Sequence, residues 1–194
     1  EYTPYYDLLE VLGREHTLIA SHTGNRFRPT LADHPQGGRV LLIKSNPCNP
    51  TGVTLHGDEL GKLVAHYSQA GRGALIDEAY EFFHSPKPVS AMEFIKDIDS
   101  TDLFVVGAAT KGLQCPGMRV GWVIAAKHHI ELFRNYSSFG MGGVSRASQL
   151  YVTQLLTTER VQQARTAIAK FYGDQRHRYG EGLRKLGFEL YTGE

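Results

Sequence analysis

Four short apolar runs, rich in β-branched residues, predict buried strands. They cover residues 39–44, 74–76, 103–106 and 120–125. Between the first two runs, apolar side chains recur at helical spacing over residues 58–70, and Gly71 supplies a stop. A strand, a helix and a second strand in this order are typical of a crossover unit, so we expect an α/β fold with a mostly parallel sheet.

Beyond the last predicted strand the pattern becomes helical. Candidate helices cover residues 127–136, 145–156 and 159–186. The closing residues 187–194 predict the beginning of an extended element that the sequence leaves unfinished. We therefore predict a large domain over residues 1–157, followed over residues 158–194 by a long connecting helix and the start of a truncated small domain.

Composition and charge narrow the classes of partner. The 194 residues are 41% hydrophobic, which suits a folded globular domain, and the net charge of +1 gives no electrostatic reason to expect nucleic acid or a membrane surface. No stretch approaches the roughly 20 apolar residues of a membrane span. The two cysteines form no CxxC pair, and the adjacent His128 and His129 are expected to face different sides of a helix. We expect a cytoplasmic protein that acts on small molecules and has no metal site.

The segment SNPCNPTG, residues 45–52, lies between the first strand and the following helix. Open α/β sheets bind ligands at such carboxyl ends of strands. Pro47 and Pro50 fix the backbone around Asn46 and Asn49, while Gly52 permits a tight exit. The segment is either a ligand-binding turn or a proline-rich turn with side-chain caps.

Asp77 and Lys111 also follow buried strands, and Arg119 lies further along the segment that begins with Lys111. Asp77, in ALIDEAY, is either a helix cap or the partner of a cationic ring nitrogen. Lys111 taken alone resembles an exposed loop lysine, although a lysine in apolar surroundings can attack an aldehyde as an amine nucleophile. Arg119, eight positions later, offers planar and permanently charged donors that suit a phosphate.

Taken together, SNPCNPTG, IDEAY and TKGLQCPGMRVGW, in this order, resemble the fold-type I enzymes of the aspartate aminotransferase superfamily (class I and II aminotransferases). The resemblance implies a three-layer α/β/α large domain and pyridoxal 5'-phosphate (PLP) as cofactor. It also implies that Lys111 forms the internal aldimine, Asp77 pairs with the pyridine nitrogen and Arg119 holds the phosphate. Asn49 and Tyr80 would contact the ring hydroxyl.

Two further cofactor contacts follow from the same resemblance. The segment TPYYDLL, residues 3–9, resembles the family's proline, any residue, aromatic pattern, which makes Tyr6 the ring that stacks on the cofactor. A tyrosine-rich stretch is also typical of simple core packing. Family members usually carry a serine three residues before the lysine; Ala108 stands there in this chain, and Thr110 is expected to compensate in part.

The resemblance therefore predicts an aminotransferase of amino-acid metabolism, a homodimer acting on an amino acid and a 2-oxo acid, with Lys111, Asp77 and Tyr80 as catalytic residues. Alternatives are a lyase, decarboxylase, cyclase or oxidase that uses the same cofactor, or a PLP-binding sensor domain without catalysis. The family's N-terminal phosphate loop would precede Tyr6, and its substrate-carboxylate arginine would follow Glu194. We therefore expect a large-domain fragment, in which most determinants of substrate choice are absent.

Overall fold

A computed structural model describes residues 1–84, 87–140 and 142–191. Four strands form one sheet in the order β1-β2-β3-β4. The first three pair in parallel, and the fourth runs antiparallel to the third. This arrangement confirms the predicted mostly parallel α/β sheet. The strands are β1 Val40–Ser45, β2 Arg72–Asp77, β3 Asp102–Ala108 and β4 Gly121–Ala125.

Six α-helices accompany the described part of the sheet. They are α1 Pro4–Val11, α2 Gly57–Tyr67, α3 Ala109–Gly112, α4 Lys127–Gly140, α5 Arg146–Leu155 and α6 Thr158–Lys185. The helix predicted over 58–70 ends earlier than expected, at Tyr67. Gly71 does not end this helix; its positive φ of 79° turns the chain into β2.

The alternation of side chains along the strands places helices on both faces of the sheet. On one face, Ile76 of β2 and Leu103 of β3 are fully buried in a cluster with Leu60 and Val64 of α2. On the other face, Phe104 of β3 lies 5.7 Å from the ring of Phe133 in α4. Residues one position apart in β3 thus face different helices, as a three-layer architecture requires.

The chain after α6 differs from the extended element predicted over 187–194. The described residues up to Tyr191 form no strand; the Tyr191 hydroxyl donates to the carbonyl of Arg26 at 2.5 Å. Its ring also lies 4.8 Å from that of Phe27, so this segment packs against the N-terminal part of the chain. Residues 192–194 lie outside the described residues. None of the described helices combines the length and apolar character needed to cross a bilayer.

Candidate active site

The carboxyl ends of the three parallel strands meet at one edge of the sheet. Ser45, Asp77 and Val106 are register partners across β1, β2 and β3. Beyond this row, the Asn46 amide donates to the Asp77 carbonyl at 2.8 Å and the Glu78 amide donates to the Val106 carbonyl at 2.7 Å. The turns that carry Asn49, Tyr80 and Lys111 therefore leave the sheet at neighbouring points.

The turn after β1 is held by the side chain of Asn46. This residue is 1% exposed, and its side-chain oxygen accepts from the amide of Leu55 at 2.7 Å while its nitrogen donates to the Leu55 carbonyl at 3.0 Å. Gly52 has a φ of 74°, and its amide donates to the backbone carbonyl of Cys48 at 2.8 Å. Asn46 is thus a structural residue, and it presents the half-buried Asn49 on the rim of the turn.

The Asp77 carboxylate accepts two hydrogen bonds. One oxygen accepts from the backbone amide of Ala79 at 2.9 Å, and the other accepts from the phenol of Tyr5 in α1. Burial, the hydrogen bond to Asp77 and nearby negative charge all raise the pKa of Tyr5 above its ordinary value. The phenol therefore remains a donor near neutral pH, and Asp77 faces a hydrogen-bond donor at the sheet edge.

Lys111 lies in the short helix α3, directly after β3. Its ammonium nitrogen is 5.4 Å from the centre of the Tyr80 ring, within the range of a cation–π contact. The next residue is Gly112, where an added Cβ would lie only 2.8 Å from the ring of Phe82. Because only glycine allows this approach, α3 is seated closely on the segment that follows Tyr80.

The loop between α3 and β4 is closed by backbone hydrogen bonds. The Ala109 amide donates to the Val120 carbonyl at 3.1 Å, and the Cys115 amide donates to the Ala109 carbonyl at 3.1 Å. Arg119 has a left-handed backbone, with φ 54°, and its guanidinium donates to the Pro116 carbonyl at 3.2 Å. Arg119 therefore bonds to its own loop, and Thr110 lies half-buried beside Lys111.

The structure brings Tyr5, and not Tyr6, to Asp77. The hydroxyl of Tyr6 donates to the carbonyl of Glu1 at 2.6 Å, and its ring lies parallel to His16 at 6.5 Å. Neighbouring residues of a helix point about 100° apart, so only one of two adjacent tyrosines can face Asp77. The sequence alone contained no signal for this helical phase, and cofactor stacking by Tyr6 stays a prediction.

Glu78 was missed by the sequence reasoning. It is 4% exposed, and its carboxylate accepts from the Ala91 amide at 2.6 Å and from the Ser90 hydroxyl at 2.7 Å. Burial raises the pKa of Glu78 to about 7, although both hydrogen bonds act in the opposite direction. Its position directly after Asp77 was the available signal. Consecutive residues of a strand face opposite sides, so if Asp77 faces the site, Glu78 faces the interior.

The family profile described as "Aminotransferase class I and II" matches residues 2–194. The chain belongs to this family. The aminotransferase family is PLP-dependent, so the residues at the sheet edge can be tested against that cofactor.

Curated relatives in the family include enzymes with different names. The chain is 32% identical to 1-aminocyclopropane-1-carboxylate synthase 4 of Solanum lycopersicum, over 96% of this chain and 43% of the relative. It is 28% identical to histidinol-phosphate aminotransferase of Thermotoga maritima, over 79% of this chain and 41% of the relative. The chain thus spans about two fifths of the length of these relatives.

A solved structure agrees with the fold. The aspartate aminotransferase of Thermus thermophilus, as a double mutant, superposes with a TM-score of 0.85 at 19% identity, over 98% of this chain and 50% of that one. At this identity the likeness supports the fold alone. The predicted PLP-transferase large-domain architecture is therefore confirmed.

The residues at the sheet edge fit PLP in their donor and acceptor chemistry. One Asp77 oxygen accepts from the Tyr5 hydroxyl, and the remaining lone pair of that oxygen can accept from a protonated ring nitrogen. Lys111 and Tyr80 lie together, as an amine and a phenol that share one end of the cofactor would require. Arg119 would have to turn away from the Pro116 carbonyl to meet a phosphate, and its assignment stays a prediction.

His128 and His129 lie together, contrary to the expectation that they face different sides of a helix. Their rings are 4.0 Å apart, and potential ligand atoms of both histidines and Asp102 lie within 4.8 Å of one another. His129 pairs with the Asp102 carboxylate at 2.8 Å. This bond tethers the first turn of α4 to the start of β3.

Proposed function

We propose that this protein is a PLP-dependent aminotransferase that moves an amino group between an amino acid and a 2-oxo acid, with Lys111 as the amine that holds the cofactor. The observation that carries the proposal is the position of the Lys111 amine, 5.4 Å from the Tyr80 ring. Membership of the class I and II aminotransferase family supports it.

Asp77 would bind the cofactor's ring nitrogen. Its carboxylate is held at the sheet edge by hydrogen bonds from the backbone amide of Ala79 and the hydroxyl of Tyr5. An ion pair with a protonated ring nitrogen is favoured in a partly dry site, because both charged forms stabilise each other. Asp77 therefore holds a proton at that nitrogen. When bound, PLP supplies an electron sink for the bonds of the substrate's α-carbon.

Lys111 and Tyr80 would act at the other side of the cofactor ring. The Lys111 nitrogen would be suited to take a proton from the substrate's α-carbon and deliver it to the cofactor's aldehyde carbon, which is the proton movement that amino transfer requires. Tyr80 and Asn49 would orient the cofactor by hydrogen bonds to its ring hydroxyl. The close packing of Gly112 on Phe82 excludes water from the base of α3, so Lys111 is held on a rigid support.

Amino transfer itself tests the proposal. Incubation of the protein with PLP, a panel of amino acids and 2-oxo acids is expected to yield new amino acids, measured by mass spectrometry. Lys111→Ala should lower the rate by at least about a hundredfold, because the proton-transfer group is lost. Lys127→Ala, at an exposed lysine of α4, is the matched control and should keep the rate. Absence of amino transfer with every donor would overturn the proposal.

The similarity to 1-aminocyclopropane-1-carboxylate synthase 4 favours a second candidate, in which a different bond at the α-carbon is broken. Such an enzyme converts its amino substrate without any 2-oxo acid. Omitting the 2-oxo acid therefore separates the two candidates: product that forms only with an acceptor supports amino transfer, whereas 1-aminocyclopropane-1-carboxylate or another product without an acceptor supports the second.

We also propose that the protein acts as a homodimer, as the family generally does. Large apolar side chains that stay exposed in the described residues support this, among them Phe139 of α4 at 95% and Val11 of α1 at 84%. Sedimentation of the purified protein measures the mass directly. A monomer at micromolar concentration would argue against the dimer.

A further inference from the structure

The long helix α6 contacts the segment that follows Tyr80. This segment, Glu81–Phe83, forms a single 3-10 turn, which we call the Phe82 turn. The guanidinium of Arg165 lies 4.8 Å from the centre of the Phe82 ring, and its terminal nitrogen is 3.7 Å from the carboxylate of Glu81. About two turns further along α6, the ring of Tyr172 lies 4.8 Å from that of Phe83.

The same turn contacts the candidate active site on its other side. Phe82 is 5% exposed, and its ring fills the space where a side chain at Gly112 would lie. Phe83 lies 5.5 Å from the ring of Tyr80, which in turn faces the amine of Lys111. The Phe82 turn is therefore packed between α6 and the two residues that the proposed function places beside the cofactor.

Arg165 depends on this turn for its own interactions. Its Nε is buried and has no hydrogen-bond acceptor among the described residues, so the charge is balanced at the Glu81 carboxylate and on the Phe82 ring. Burial raises the pKa of Glu81, and the charge of Arg165 lowers it. Each partner thus offsets the cost of burying the other, and removing either leaves a poorly solvated polar group.

We infer that Arg165 is a positioning residue for the cofactor site. By holding the Phe82 turn in place, it fixes the position of Tyr80 and of helix α3, which carries Lys111. The inference rests on the proposed function, since the effect on the cofactor requires Lys111 to hold it. It assigns to α6 a part in binding the cofactor without any direct contact with it. Arg165 acts through Glu81 and Phe82.

The first test needs no cofactor. Amide hydrogen exchange is compared between the unmodified protein, Arg165→Met and Lys170→Met. Methionine keeps an apolar stem on Phe82 and removes the charge, while Lys170 is an exposed cation of the same helix and serves as the control.

The amides of Phe83 and Gln114 report on the site, because they donate to the backbone carbonyls of Tyr80 and Lys111. In Arg165→Met, both amides should exchange about tenfold faster. Lys170→Met should leave both amides unchanged.

The second test measures the cofactor. Titration with PLP, followed by the absorbance of the bound form, should show about tenfold weaker binding in Arg165→Met, which corresponds to about 1.4 kcal/mol. The absorption maximum should also shift, because Tyr80 no longer faces the amine in one fixed position. Arg165→Lys, which keeps a cation near Glu81, should recover most of the affinity.

The outcomes separate the two proposals. If the unmodified protein binds no PLP at Lys111, the proposed function fails, while local hydrogen exchange still tests the contact between Arg165 and the Phe82 turn. If Arg165→Met matches Lys170→Met in exchange, affinity and spectrum, the inference is overturned. It is also overturned if exchange rises equally throughout the chain, because Arg165 would then contribute only to general stability.

Discussion

At the scale of single residues, Asp77 and Glu78 show how two neighbouring carboxyl groups acquire different roles. Asp77 points to the sheet edge and accepts from Tyr5 and Ala79. Glu78 points into the interior and accepts from the segment at Ser90 and Ala91. The first is available to a cationic ligand, whereas the second fastens a loop beneath the site.

Glu78 makes the stability of the fold depend on pH. Its pKa rises from an ordinary 4.5 to about 7 because burial disfavours the charged form. The folded state then binds a proton that the unfolded state releases, so the contribution is fully present below pH 4.5 and is lost as the pH rises to 7. We expect the free energy of unfolding to fall over this window, on the order of 3 kcal/mol from this group.

Glu78→Gln should remove this pH dependence, because a neutral amide can still accept from Ala91 and donate to Ser90. Urea unfolding at pH 5 and pH 8 measures it, and Glu131→Gln, at an exposed carboxylate of α4, is the control. Equal pH profiles for Glu78→Gln and the unmodified protein would show that Glu78 does not titrate in this window.

At the scale of secondary-structure elements, α3 owes its position to a glycine. An alanine at Gly112 would place its Cβ 2.8 Å from the Phe82 ring, so ring or helix must move. We expect Gly112→Ala to destabilise the fold by about 1–3 kcal/mol, as overpacking usually does, and to weaken PLP binding by displacing Lys111.

Gly117→Ala is the matched control for this prediction. It lies in the same loop region, and an added Cβ there meets no atom within 4 Å. Thermal unfolding and PLP titration compare the two variants. If Gly112→Ala were as stable as Gly117→Ala, the Phe82 ring would be able to move aside without a loss of folding stability, which would contradict the prediction.

The elements themselves could be predicted well from the sequence, and their contacts less so. All four strands and the three helices after β4 appear where apolar periodicity indicates, because burial on a sheet or helix face imposes that period. The end of α2 and the packing of Tyr191 on Phe27 depend on tertiary contacts, which leave no periodic signal. The same reason explains why Tyr5 and Arg165 were missed: their partners, Asp77 and Glu81, are distant in sequence.

At the scale of the whole molecule, the chain contains the sheet edge that carries Asp77, Tyr80 and Lys111, and it spans about two fifths of the length of its curated relatives. The proposed function therefore rests on the family and on this edge. Helix α6 is 28 residues long, and it contains Arg165 near its N-terminal end. Arg165 connects this helix to the segment that follows Tyr80 through Glu81 and Phe82.

Covalent mapping of the cofactor identifies the lysine that binds it. The purified protein is incubated with PLP, reduced with borohydride, digested and examined by mass spectrometry for the pyridoxyl group. We expect one principal modified residue, Lys111, and loss of that modification in Lys111→Ala but not in Lys127→Ala. A pyridoxyl group found mainly on another lysine, or none after PLP is added, would contradict it.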